Sequence, residues 1–240
     1  IHLEALPLNQ PVRDISCGLG HALFLLDSGA VYSWGNGGNG RLGLGDMHDR
    51  AEAAIVTGLP PMGVQAVQCG ASHSMALLVN GDVYCWGKNS QGQCGIDHTD
   101  ENVLSPTLVK AFNVQNTKVV QIAAGWEHSA GLSQEGRLYM WGCGYKDSRR
   151  GVIPPVLGLG DSEGRTVPTL ITSIESIRIS KVTCGWDHCL ALDANGKLLS
   201  WGSGQNGKLG HGTEENFSVP TYVTALENTR LSYISAGCEH

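Results

Sequence analysis

Apolar and polar residues alternate along this chain in short runs, which glycine and asparagine interrupt every few positions. In the stretch 64–118 the runs AVQC, HSMALLV and DVYCWG follow one another, and Asn80-Gly81 separates the last two. A period of two predicts strands, and Asn-Gly between two strands predicts a type I′ hairpin turn. The run SPTLVKAF predicts a fourth strand. Its proline lies near the start, which is one of the positions where a strand accommodates proline. The pattern excludes a solenoid of helix pairs.

The same pattern returns along the whole chain. A Gly-x-x-His segment recurs every 52 to 60 residues, at His21, His73, His128, His188 and His240. Eight residues after each of the first four histidines comes a glycine, and a Trp-Gly pair follows, which begins at Trp34, Trp86, Trp141 and Trp201. Four short strands per unit at this period are typical of propeller blades. We therefore predict an all-β fold, a β-propeller of four-stranded blades.

The spacing divides the chain into repeat units within a single propeller segment, 1–240. The units span approximately 12–63, 64–118, 119–178 and 179–230, with a partial unit at 231–240 and the end of a preceding blade at 1–11.

Composition limits the kind of partner. Apolar residues make up 41% of the chain and charged residues 16%, which is typical of a globular protein. The net charge of −6 gives no general attraction to phosphate backbones, so no direct nucleic-acid contact is expected, although a basic protein surface would be attracted. No apolar run is long enough for a membrane span, and no signal peptide is evident. Eight cysteines without such a signal fit a reducing compartment, nuclear or cytoplasmic.

Taken alone, Cys184, His188 and Cys189 look like metal ligands. The repeat argues otherwise, because the slot of Cys184 alternates between cysteine and alanine, as a small core position does. That slot is filled in the other units by Cys17, Cys69, Ala124 and Ala236. Paired cysteines at zinc spacing are also absent from the sequence. We predict that the recurring histidines form hydrogen bonds between neighbouring blades, and we expect neither a metal nor a cofactor.

Enzymatic motifs are missing too. The sequence contains neither a phosphate-binding loop of the Walker type nor a Gly-x-Ser-x-Gly elbow, and its carboxylates form no obvious pair. We expect a protein that acts by binding and not by catalysis.

The ordered set Gly-x-x-His, hairpin glycine, Trp-Gly, Leu-Gly and Pro-Thr resembles the regulator of chromosome condensation repeat over essentially the whole chain. The resemblance implies a seven-bladed propeller. It also implies one of three roles: guanine nucleotide exchange, partner recognition within ubiquitin ligases or kinases, or ultraviolet-B reception. Seven units at this spacing would need about 380 residues, so we expect this chain to be a segment of a longer protein.

The third unit departs from the others. The glycine that follows Trp-Gly stands 9 residues after the tryptophan in the other units but 17 residues after Trp141, a difference of 8. The added loop, Tyr145 to Pro155, is basic and apolar, which is the composition of a contact element, although a solvated variable loop is the simpler alternative. The resemblance implies a β-wedge here, as in the exchange factor for the GTPase Ran. The matching residues are Tyr145, Lys146, Asp147, Gly151, Val152 and Ile153, with Arg149 and Arg150 in a spacer one residue longer.

The loops before the histidines complete the predicted site. Family exchange factors place an acidic residue where Asp187 stands, and Glu127 and Glu239 hold equivalent positions. Trp126 replaces an acidic residue of the Ran exchange factor, so the partner could be another GTPase. Gly-Trp-x-His also resembles the photoreceptor loops, in which arginine follows tryptophan, but the simpler interpretation of Trp126 and Trp186 is a partner-binding hot spot. We expect exchange on, or regulation of, a small GTPase; the alternative is a scaffold or substrate-recognition module.

Overall fold

The computed structural model describes residues 10–60, 63–99, 102–144, 146–148, 151–153 and 155–240. These residues form four antiparallel sheets of four strands each, together with one two-stranded hairpin. Within each sheet the strands lie side by side in chain order, and in the third sheet the two-stranded hairpin separates the last two strands along the chain. The prediction of an all-β propeller built from four-stranded blades is confirmed.

The strands of the four blades are as follows. The first blade contains β1 (Val12–Cys17), β2 (His21–Leu26), β3 (Val31–Gly35) and β4 (Arg50–Ile55). The second contains β5 (Val64–Cys69), β6 (His73–Leu78), β7 (Val83–Lys88) and β8 (Asn102–Leu108). The third contains β9 (Val119–Ala124), β10 (His128–Ser133), β11 (Leu138–Gly142) and β14 (Arg165–Leu170). The fourth contains β15 (Ile179–Cys184), β16 (His188–Asp193), β17 (Leu198–Gly202) and β18 (Phe217–Tyr222).

The fourth strand of the second blade differs from its prediction. β8 ends at Leu108, and the chain then forms a short helix, α1 (Lys110–Val114). Phe112 on this helix is 1% exposed, and its ring meets Tyr139 and Trp141 of the third blade edge-on, at centroid distances of 5.5 and 5.8 Å. The prediction of a strand through Phe112 was wrong, because packing of this ring against the next blade decides the local conformation.

The turn between β6 and β7 also differs. Gly81 has a φ of +96°, but Asn80 is not among the residues with positive φ, and a type I′ turn requires both. The amide of Leu78 donates to the carbonyl of Asp82, which closes a three-residue loop with one left-handed glycine. The type I′ prediction was therefore wrong in turn type, although the hairpin itself is present.

The blades pack against one another through their second strands. Every residue of β2, β6 and β10 is buried, which means that both faces of these strands are covered. The third strands contribute Trp86, Trp141 and Trp201, each 0% exposed. Burial of such large side chains between successive sheets makes a large apolar contribution to holding neighbouring blades together.

A repeated polar contact, which we call the clasp, accompanies this packing. In each clasp one backbone carbonyl of a blade accepts hydrogen bonds from two side chains of the next blade. The tryptophan donors are Trp86 to Arg41 O (3.0 Å), Trp141 to Gln93 O (3.0 Å) and Trp201 to Val156 O (2.9 Å). The second donors to the same carbonyls are Ser74 (2.8 Å), Ser129 (2.8 Å) and the Cys189 thiol (3.9 Å).

The repeated histidines complete the clasp. His21 Nε2 lies 2.9 Å from Ser74 Oγ, and His73 Nε2 lies 2.8 Å from Ser129 Oγ, in each case across a blade boundary. The predicted hydrogen bonds between blades are confirmed. Burial lowers the pKa of His21 to about 4 and that of His73 to about 3, so both rings are neutral near pH 7.

We predict that Ser129→Ala lowers the free energy of unfolding by about 1–3 kcal/mol, because it leaves a ring nitrogen of His73 buried without its partner. Urea denaturation followed by far-ultraviolet circular dichroism measures the change. Ser105→Ala, at an exposed serine, is the control and should stay within about 0.5 kcal/mol of the wild type. An equal effect of the two substitutions would contradict the structural role of the clasp.

Candidate partner-binding face

The predicted site residues belong to loops at one end of the blades. In each blade the Gly-x-x-His loop and the loop after Trp-Gly lie side by side, because β2-type and β3-type strands pair antiparallel. Backbone hydrogen bonds join the two loops, for example Cys143 N to Glu127 O and Ser203 N to Asp187 O, both 2.8 Å. We call this end of the blades the loop face. It is where the sequence predicts contact with a partner.

The insertion in the third blade forms a hairpin on the loop face. β12 (Lys146–Ser148) pairs antiparallel with β13 (Gly151–Ile153), and Lys146 stands opposite Ile153 in the register. Five of the predicted wedge residues belong to these strands: Lys146, Asp147, Gly151, Val152 and Ile153. The other three, Tyr145, Arg149 and Arg150, lie outside the described residues. The extra residues of this unit thus add two strands of their own between β11 and β14.

Trp126 and Trp186 form a stacked pair on the same face. Their ring centroids are 3.7 Å apart and their planes differ by 5°. Both side chains are half-buried, and both line an open cavity of about 850 Å³ along the innermost strands β1, β5, β9 and β15. The pair joins the third blade to the fourth and leaves part of a large aromatic surface exposed, as at protein-binding hot spots.

The acidic residues that follow these tryptophans already have cationic partners within the chain. The Glu127 carboxylate is buried and pairs with Lys88 Nζ of the second blade. The Asp187 carboxylate lies 2.6 Å from Lys208 Nζ, and the Lys208 side chain is only 3% exposed. Glu239, the third predicted acidic residue, is exposed. Glu127 and Asp187 therefore hold their loops in place, and their charges are largely compensated.

The environment of Asp187 contains opposing effects. Burial alone would raise the pKa of this carboxyl, but the nearby His188 ring and the charge of Lys208, 2.6 Å away, bring it below its usual range. The ion pair therefore stabilises the fold above the ordinary carboxyl pKa. This stabilisation is lost as the pH falls through the lowered value.

Sequence reasoning missed Lys88 and Lys208, because each is distant along the chain from its acidic partner: Lys88 ends β7 of the second blade, and Lys208 lies in the loop after β17. It also did not associate His128 with Cys184 and Cys189, which the structure brings within 4.8 Å of one another. These three residues come from two blades. The sequence contained one usable signal: Cys189 stands where the preceding two units have Ser74 and Ser129.

We predict that Lys208→Met lowers the free energy of unfolding by about 3 kcal/mol near pH 7, because it leaves a mostly buried carboxylate without its cation. The deficit should shrink towards about pH 5, because burial then raises the pKa of Asp187 and the carboxyl takes up a proton. Urea denaturation at both pH values measures it, with Lys197→Met at an exposed lysine as the control. A deficit that does not change with pH would contradict the proposed role of the pair.

Comparison with known proteins is consistent with this arrangement. The sequence is 36% identical over 239 residues to the ultraviolet-B receptor UVR8 of Arabidopsis thaliana, which covers 99% of this chain and 52% of that protein. It is 32% identical over 228 residues to the E3 ubiquitin-protein ligase HERC2 of Homo sapiens, covering 92% of this chain and 4% of that protein.

The fold is also similar to that of solved structures. Prp20p from Saccharomyces cerevisiae superimposes with a TM-score of 0.77 and 27% identity, over 96% of this chain and 55% of that protein. This chain spans about half the length of UVR8 and of Prp20p.

Across the described ranges, no helix has the length and apolar character that crossing a bilayer would need. The family model for the RCC1-like domain matches residues 3–240, and the chain therefore belongs to the RCC1-like propeller family of protein-interaction modules.

Proposed function

We propose that this chain binds a small GTPase on the loop face and lowers that protein's affinity for its nucleotide, with the β12–β13 hairpin acting as a wedge. The observation that carries the proposal is the hairpin itself. The blades share one architecture, and the third blade adds two strands at the place where the sequence pattern is interrupted. A feature that the common scaffold does not require is the best candidate for specific recognition.

The hairpin is anchored at both ends. An isolated two-stranded hairpin is marginally stable in water, so its position depends on what holds its ends. On the β12 side, Cys143 N donates to Glu127 O. On the β13 side, the Val156 carbonyl accepts the indole N–H of Trp201 in the fourth blade at 2.9 Å. Contacts with two blades thus fix the base of the hairpin.

The proposed mechanism requires contact and no bond chemistry. A protein lowers the nucleotide affinity of a GTPase when it binds the nucleotide-poor conformation more tightly than the nucleotide-bound one. The hairpin, whose strands contain Lys146, Val152 and Ile153, and the aromatic Trp126–Trp186 stack are the proposed contact elements on the loop face. The compensated charges of Glu127 and Asp187 serve this contact indirectly, because they fix the loops that present the two tryptophans.

Two relatives bear on the choice of function. Prp20p has binding properties towards Gsp1p and histones, and its interaction with Gsp1p supports a GTPase as the partner class. UVR8 shares a higher identity, and the stacked tryptophans fit an ultraviolet-absorbing pair. We do not extend the proposal to light reception, because Glu127 and Asp187 stand where the photoreceptor loops carry arginine and both are paired within the chain.

The test is release of a fluorescent GDP analogue from a panel of small GTPases that includes Ran. We expect the full chain to accelerate release from one of them at least about tenfold, the size of a typical coupling between sites. A loop graft that replaces residues 143–157 by residues 203–209, the shorter loop of the fourth blade, should abolish the acceleration. The graft keeps the blade, because the structure already tolerates this loop at the same point of the repeat.

A change at the opposite end of the blades provides the control. Exchanging the turn QEGR at 134–137 for ANGK, the turn at 194–197, preserves the left-handed glycine and should leave nucleotide release unchanged. If the chain accelerates release from none of the GTPases, the exchange function is wrong and the scaffold or substrate-recognition role replaces it. If the graft is as active as the wild type, the hairpin is not the wedge.

A further inference from the structure

A cluster of soft ligand atoms lies between the third and fourth blades. It consists of His128 on β10 and of Cys184 and Cys189 on β15 and β16. The imidazole nitrogen and the two sulfur atoms lie within 4.8 Å of one another. Cys184 is 8% exposed, while His128 and Cys189 are 1% and 0% exposed. The proposed partner contact on the loop face makes no use of these groups.

Strand pairing brings the two thiols together. Cys184 and Cys189 are direct partners in the β15–β16 register, and Gly185 N donates to His188 O at the next pair. Because hydrogen-bonded and non-hydrogen-bonded pairs alternate, Cys184 and Cys189 form a non-hydrogen-bonded pair, in which side chains approach most closely. Their sulfur atoms are 3.6 Å apart, and Cys189 Sγ lies 3.3 Å from His128 Nε2.

The other blade boundaries lack this combination. In the first two clasps the position of Cys189 is a serine, Ser74 or Ser129, which bonds to the histidine of the preceding blade. The residue opposite that serine is Cys69 in the second blade and Ala124 in the third. Among the boundaries that the structure describes, the third alone places two thiols beside the imidazole.

We propose that His128, Cys184 and Cys189 form a binding site for a thiophilic metal ion, Zn²⁺, that joins the third blade to the fourth. With bonds of about 2.3 Å to sulfur and about 2.0 Å to nitrogen, ligand atoms of a tetrahedral zinc site are about 3.5–3.8 Å apart. Two of the three distances, Cys184 Sγ to Cys189 Sγ and Cys189 Sγ to His128 Nε2, lie within a few tenths of an ångström of that range. The third pair, Cys184 and His128, lies within 4.8 Å. Two thiolates and one imidazole also match the ligand preference of zinc.

Access and protonation fit the same site. Cys184 lines the open central cavity, which gives an ion and a fourth ligand from solvent a path to the cluster. Cysteine ligates zinc as the thiolate and not as the thiol. Binding of Zn²⁺ therefore releases protons to solvent as both thiols become thiolates, and affinity rises with pH.

The cluster also lies next to the base of the hairpin. Cys189 Sγ contacts the Val156 carbonyl at 3.9 Å, and this same carbonyl anchors the β13 side of the hairpin loop. An ion bound by residues of both blades stabilises the folded chain by RT ln(1 + [Zn²⁺]/Kd), because the unfolded chain does not hold the three ligands together.

Titration of the reduced full chain with Co²⁺ alone tests the site, because cobalt occupies zinc sites and reports thiolate ligation by a sulfur-to-metal charge-transfer band. We expect one Co²⁺ per chain, displacement of the band by Zn²⁺, and proton release. The midpoint of thermal unfolding should rise by about 5–10 °C when free Zn²⁺ exceeds its Kd about 100-fold.

The repeat supplies variants that the fold already accepts. Cys189→Ser reproduces the residue of the second and third blades, and Cys184→Ala reproduces that of the third. Each should abolish the charge-transfer band and the thermal shift. Cys85→Ser is the control, because it removes a buried thiol from a position that Ser33 and Ser200 occupy in other blades. This variant should keep the charge-transfer band and the thermal shift. The proposal is overturned if the reduced wild type takes up no Co²⁺, including the case in which the two thiols react only by forming a Cys184–Cys189 disulfide on oxidation. It is also overturned if the two site variants bind Co²⁺ like the wild type.

Discussion

The fold depends on one contact that every described blade boundary repeats: a backbone carbonyl of one blade accepts the indole N–H of a buried tryptophan in the next. An indole that is fully buried must pair its N–H, and the carbonyl at the end of the third-strand loop supplies the acceptor. The same carbonyl also accepts a hydrogen bond from a serine hydroxyl or cysteine thiol of the tryptophan's blade. That hydroxyl or thiol in turn bonds to the histidine of the blade that supplies the carbonyl. Histidine and tryptophan recur because this contact requires them at fixed places, and a glycine follows because a Cβ at Gly43, Gly95 or Gly158 would lie within 2.8 Å of the indole nitrogen.

The clasp also explains which properties were predictable from the sequence. The blade pattern, the strand count and the inter-blade role of the histidines follow from local periodicity and from repetition, which one sequence displays. The helix at Phe112 and the pairing of Lys88 with Glu127 depend on contacts between blades, and sequence spacing contains no direct record of those. The cysteine cluster was missed for a related reason: its cysteines occupy slots that are structural elsewhere, and its histidine belongs to another blade.

The departures from the repeat have a common location. All three lie where the third blade meets the fourth: the hairpin, the stacked Trp126–Trp186 pair and the cysteine cluster. The Val156 carbonyl, at the base of the hairpin, contacts Cys189 and Trp201 of the fourth blade. Repetition stabilises the scaffold, so changes at one boundary can be accommodated without loss of the fold. We infer that the same boundary positions the surface that binds a partner.

The most direct measurement is hydrogen–deuterium exchange of the full chain, alone and mixed with a nucleotide-free small GTPase. We predict slower exchange on the loop face near the third and fourth blades, at residues 126–128, 143–157 and 186–188. Exchange at the turns of the opposite end, 134–137 and 194–197, should not change. Protection confined to those opposite turns, with none on the loop face, would contradict binding through the loop face.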